Sequence, residues 1–102
     1  MRARRFPLHL RAHFRLLGGQ EWRAATTVDV SSSGVLLQAS SLPPLNATVE
    51  IRLALVTNEV ELLQGEVAGE GRVVRWLSER NNGRFAVCFE QYAIRSIGSA
   101  AV

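Results

Sequence analysis

The chain has 102 residues and a formal net charge of +3, and hydrophobic residues make up 47% of it. This length accommodates one domain with a modest core. The first residues are charged, and no apolar run reaches the about 20 residues needed to cross a bilayer. The single cysteine, Cys88, excludes an internal disulfide. We therefore expect one cytoplasmic domain over residues 1–102, with no membrane-inserted segment.

Short alternating segments separated by turn residues predict six strands. The first covers residues 8–16, where strict alternation places Arg11 and Arg15 on the solvent face. The next three cover residues 22–30, 35–39 and 48–56. The fifth segment, residues 60–76, is too long for one flat strand and contains three glycines that suit bulges or a bend, Gly65, Gly69 and Gly71. A turn at 81–83 then leads into a sixth strand at 85–92.

This pattern predicts an all-β fold, a small six-stranded antiparallel barrel. Residues 1–7 form a flexible basic arm, residues 8–92 the barrel, and residues 93–102 a tail that is either a short C-terminal helix or frayed coil. Side chains fill the interior of so small a barrel, so a ligand has to bind on the outside.

The segment from Asp29 to Gly34 is the most informative part of the chain. Asp29 is the only aspartate, Ser31 adds a hydroxyl, and Gly34 offers a backbone free to take positive φ. Arginines at positions 2, 4 and 5 lie upstream, and guanidinium groups bind phosphate and the O6/N7 edge of guanine. The combination predicts a receptor for a guanine-containing, doubly phosphorylated ligand.

These residues resemble the PilZ domain, a small bacterial β-barrel that typically binds cyclic di-GMP. The family signature is RxxxR in an N-terminal arm followed by DxSxxG or NxSxxG, and Asp29, Ser31 and Gly34 match its second half. Residues 26–40, 69–76 and 83–92 also resemble strands of the family, so the likeness covers nearly the whole chain.

The resemblance implies a role for each residue of the motif. Arg4 and Arg5, with Arg2 as a further candidate, would bind phosphates and guanine edges. Asp29 and Ser31 would hydrogen-bond a base, and Gly34 would set the loop. The arm would become ordered when the ligand binds.

The first half of the signature is incomplete. If Arg4 takes its first position, the second falls on Leu8, and no other register of the arm supplies two arginines. A literal RxxxR occurs at Arg11 and Arg15, but it lies in the alternating first strand, and we interpret it as coincidence.

We expect a non-catalytic receptor or adaptor that relays the level of cyclic di-GMP to an unidentified protein partner. The alternative is a PilZ-like interaction adaptor that binds no nucleotide because its RxxxR is incomplete. Catalysis is disfavoured because the sequence has no nucleophile elbow and no metal cluster. We expect no cofactor and no metal, since His9 and His13 would lie about 13 Å apart on a strand. We expect no nucleic-acid partner, because glutamates are mixed with the basic residues.

Overall fold

The computed structural model describes residues 7–56, 64–79 and 82–96. These residues form six strands and no helix. The strands are β1 Arg11–Leu16, β2 Arg23–Val30, β3 Gly34–Ala39, β4 Thr48–Val56, β5 Gln64–Glu79 and β6 Asn82–Ser96.

The six strands close into an antiparallel barrel in the order β1-β2-β3-β6-β5-β4. Closure occurs because β1 pairs with β2 along one edge and with β4 along the other. The prediction of an all-β, six-stranded antiparallel barrel is therefore confirmed.

The barrel interior is filled by alternate side chains of every strand, as the period of two requires. In β1, Ala12 and Phe14 are 1% and 2% exposed while Arg11 and His13 face solvent. Phe14 meets Phe85 edge to face, with ring centroids 5.0 Å apart. Because aliphatic residues of β3, β4 and β5 occupy the rest of this space, a ligand is left with the outer surface.

Among the described residues, three interrupt the strand pairing, and each is an extra residue with no opposite partner. They are Val28 in β2, Val74 in β5 and Glu90 in β6. Such bulges shift the alternation of inward and outward side chains by one position. Only the third lies beside one of the glycines for which we predicted an irregularity, since Glu90 is skipped where Gly71 pairs with Phe89.

Several predicted boundaries were wrong. The fifth strand continues to Glu79, three residues past the predicted end at Trp76, and its bulged pairing with β6 agrees with the predicted bulges or bend. Asn82 and Gly83, assigned to a turn, pair with Glu79 and Ser78 inside the β5–β6 ribbon. Residues 93–96 extend β6 and form neither helix nor coil, whereas residues 97–102 lie outside the described part.

Candidate functional site

The loop between β2 and β3 is organised by the side chain of Ser31, which is 7% exposed. Its Oγ accepts hydrogen bonds from the backbone N–H groups of Ser33 and Gly34, both at 3.2 Å. The backbone N–H of Ser31 donates to the Gly34 carbonyl at 2.9 Å. The hydroxyl therefore holds the loop in shape. A contact between Ser31 and a ligand stays a prediction.

Gly34 is required for a different reason from the one we predicted. Its φ lies outside the left-handed region, so the expectation of a positive φ was wrong. A Cβ at this position would lie 2.4 Å from the carbonyl oxygen of Val87. β6 approaches this closely because Gly34 pairs with Cys88 and the Phe89 N–H donates to the Ser33 carbonyl at 2.9 Å. Close approach of the β6 backbone thus excludes any side chain.

Asp29 lies on the outside of the barrel near the end of β2 and is half-buried. Thr27 is 0% exposed and pairs with the core residue Leu37. Strict alternation would turn Asp29 inward as well. The unpaired Val28 shifts the phase, so Asp29 pairs with Leu36 and both side chains face outward. The bulge therefore places the carboxylate on the outer surface beside the loop.

The segment that precedes β1 is bound to the same part of β2. The backbone N–H of Leu10 donates to Thr27 Oγ1 at 2.7 Å, and the Thr27 hydroxyl donates to the Leu8 carbonyl. The Thr27 N–H in turn donates to the Leu10 carbonyl at 2.9 Å. Since β1 and β2 are antiparallel, residues 7–10 run along β2 in the direction of Asp29.

A family model described as the PilZ domain matches residues 1–99. The chain belongs to the PilZ domain family. The matched range includes the arginine-rich start, the Asp29 loop and all six PilZ strands.

The solved structure of the Bacillus subtilis inhibitor of motility, MotI/DgrA, is similar to this PilZ barrel. It matches with a TM-score of 0.76 and 11% sequence identity over 91% of this chain. At 11% identity, this structural similarity shows a shared fold and nothing more. The chain spans 44% of the length of that structure. A comparison with curated proteins found no match.

The structure brings together only part of the predicted PilZ site. Asp29, Ser31 and Gly34 lie within one bulge and one loop. Arg2, Arg4 and Arg5 lie outside the described residues. Their roles in binding a ligand therefore stay predictions.

The literal RxxxR of β1 has other contacts. Arg11 is exposed, and Arg15 Nε and Nη2 donate to the two carboxylate oxygens of Glu50, both at 3.2 Å. The guanidinium groups of Arg15 and Arg52 both lie over the Trp22 ring, at 4.4 and 4.9 Å from its centroid. The prediction that Arg11 and Arg15 project from the outer face of β1 is confirmed.

Sequence reasoning assigned no role to Arg75, which the structure places on the outer face of β5. The sequence did contain a signal for the position of Arg75. Simple alternation from the buried Val73 would direct Arg75 into the core, where an unpaired charge is very unfavourable. A charged residue at an inward position indicates a bulge, and Val74 is that bulge.

The surface also has a groove that is separate from the Asp29 loop. This groove, of about 270 Å³ outside β4, β5 and β6, is lined by Trp22, Arg52 and Tyr92, among others, and by no residue of the 29–34 segment. Within residues 7–56, 64–79 and 82–96, no three His, Cys, Asp or Glu side chains are placed to hold a metal ion. The same residues include no helix long and apolar enough to span a membrane.

Proposed function

We propose that this PilZ domain is a cyclic di-GMP receptor or adaptor that relays ligand binding to a protein partner. The observation that carries the proposal is the placement of Asp29 outside the barrel, next to the ordered Ser31–Gly34 loop. Its family is one of cyclic di-GMP receptors. The proposal covers residues 1–102 as a single cytoplasmic domain with an arm at residues 1–7, without a cofactor or a nucleic-acid partner.

The chemistry of the loop suits a guanine base. A carboxylate is an acceptor and guanine carries N–H donors, so Asp29 can accept a charge-assisted hydrogen bond from the base. The short loop adds the exposed hydroxyl-bearing residues Ser32 and Ser33. Gly34 contributes by keeping β3 and β6 close, which fixes the position of the loop relative to the barrel.

The arginines of the arm are within reach of this loop. Residues 7–10 are tied to Thr27, two positions before Asp29. Arg5 is three residues before Leu8, and three residues of chain span at most about 11 Å. Arg4 and Arg5, with Arg2 as a further candidate, can therefore supply guanidinium groups to the phosphates of a ligand whose base lies at Asp29.

The proposed output is binding, with no chemical step. A ligand held jointly by the arm and the loop favours the conformation in which the two are together. It shifts the population toward that state by its differential affinity for it. The surface formed by the arm and the barrel then becomes the surface that the protein partner recognises.

Titration calorimetry with cyclic di-GMP tests this proposal. We expect the wild type to bind and Asp29→Ala to lose about 1.5–3 kcal/mol of binding free energy, the usual contribution of a hydrogen bond to a charged group. Glu21→Ala is the matched control, because its carboxylate is 81% exposed and 3.8 Å from Arg23. Equal affinity of Asp29→Ala and the wild type would contradict the assignment of Asp29.

A second function, protein contact without nucleotide, is favoured by one observation. Leu8 occupies the position of the second arginine of RxxxR if Arg4 is the first. A folded wild-type protein that shows no binding heat with cyclic di-GMP would support this adaptor function over the receptor function.

A further inference from the structure

One row of outward-facing residues connects Asp29 to Arg75 across four strands. Asp29 in β2 pairs with Leu36 in β3, Leu36 pairs with Ala86 in β6, and Ala86 pairs with Arg75 in β5. Neighbouring strands are about 4.8 Å apart, so Asp29 and Arg75 are separated by about 14 Å measured along the curved surface of the barrel. The side chains of Asp29 and Arg75 are both polar, and both face the outer side of the sheet.

Two bulges create this row. Without the extra residue Val28, Asp29 would share the inward face of Thr27. Without Val74, Arg75 would alternate to the same inward face as Val73, which is 0% exposed. Bulges are frequent next to binding sites, where they redirect a side chain. Here two of them, on strands that are not neighbours, direct a carboxylate and a guanidinium to opposite ends of one row.

The two residues between Asp29 and Arg75 in this row, Leu36 and Ala86, are apolar. Leu36 and Ala86 are 8% and 6% exposed although they face outward. Neither side chain carries a polar group, so Asp29 and Arg75 are the polar ends of an otherwise apolar row.

Arg75 differs from the arginines around it. The Arg84 Nε donates to Gln38 at 3.2 Å, and Arg72 Nη2 lies 3.7 Å from a carboxylate oxygen of Glu90. Arg75 is exposed and makes no hydrogen bond or ion pair with the described residues. Its five N–H donors therefore point into solvent at the edge of the Asp29 row.

We propose that Arg75 binds a phosphate of the nucleotide whose base lies at Asp29, and so supplies a guanidinium that the incomplete RxxxR lacks. This inference rests on the proposed function, because it assigns a residue to the same ligand. A guanidinium offers two parallel N–H groups to a phosphate. An anchor on a strand is also held more firmly than one on a terminal arm, so less conformational entropy is lost when it binds.

The test is titration of the full chain with cyclic di-GMP for wild type, Arg75→Ala, Arg75→Lys and Arg11→Ala. Arg11 is the matched control, because it is an exposed strand arginine on the outer face of β1. We expect Arg75→Ala to weaken binding at least about tenfold. Lysine should recover part of the loss, because it binds phosphate as a point charge. Arg11→Ala should bind like the wild type, and thermal unfolding should show that all four proteins are folded.

Wild-type affinity in Arg75→Ala, with a wild-type protein that binds, would overturn this inference and leave the proposed function intact. An equal loss in Arg11→Ala would also overturn it, since the effect would then reflect net charge. If the folded wild type binds no cyclic di-GMP, both the inference and the receptor function are wrong.

Discussion

The smallest test of the barrel beside the site is Gly34→Ala. This change adds a single methyl group, which would lie 2.4 Å from the carbonyl oxygen of Val87. Ordinary contacts of a Cβ begin near 3.4 Å, so β3 and β6 would have to separate locally by about 1 Å. That movement would stretch the 2.9 Å hydrogen bond from the Phe89 N–H to the Ser33 carbonyl, at the end of a ladder of six paired positions.

The size of the effect follows from these two losses. Overpacking costs about 1–3 kcal/mol, and a weakened hydrogen bond adds about 1 kcal/mol. We therefore expect the free energy of unfolding to fall by about 2–4 kcal/mol. For a domain of this size about 4–8 °C of Tm corresponds to each kcal/mol, so Tm should fall by about 8 °C or more.

Thermal unfolding followed by circular dichroism measures this fall, and Gly18→Ala is its control. Gly18 has a φ of +83° and nothing within 4 Å of an added Cβ. The control therefore carries only the backbone penalty of the left-handed region, about 1–2 kcal/mol. A drop in Tm for Gly34→Ala no larger than that for Gly18→Ala would refute the reasoning from close approach.

Three further variants test the arm, its attachment to β2 and the alternative RxxxR on β1. Thr27→Val keeps the side-chain volume but removes the hydroxyl that holds residues 7–10. We expect the free energy of unfolding to fall by about 1–3 kcal/mol and amide exchange in residues 7–10 to become faster. Unchanged amide exchange would argue against an anchor at Thr27. Arg4→Lys combined with Arg5→Lys should lose most of the affinity for cyclic di-GMP at constant net charge, because lysine cannot form the bidentate contact. Arg15→Ala should lower Tm and leave affinity intact, and the reverse ranking in calorimetry would move the site to β1.

Local pattern was enough to predict the strands and the motif of the site. The alternation around Ala12 and Phe14 predicted the two faces of β1, because side chains of a strand alternate whatever its neighbours are. The grouping of Asp29, Ser31 and Gly34 was also predictable, since six consecutive residues cannot lie far apart. The family resemblance that these residues suggested is confirmed over residues 1–99.

The pairing of distant strands decided what local pattern could not. Asp29 and Arg75 are 46 positions apart, and they share a row only because β3 and β6 lie between their strands and because Val28 and Val74 each shift the alternation once. A bulge residue does not alter the strand propensity of the segment around it. It can be recognised as an extra residue only when the opposite strand is known.

The same reason explains why the sequence suggested the wrong cause for a glycine at position 34. Its place in the motif is a property of the chain, whereas the oxygen that excludes a side chain belongs to Val87, 53 residues later. Backbone torsion is a local quantity that a sequence motif can suggest. Contact between two backbones depends on the closure of the barrel, and this contact is what makes a glycine necessary at position 34.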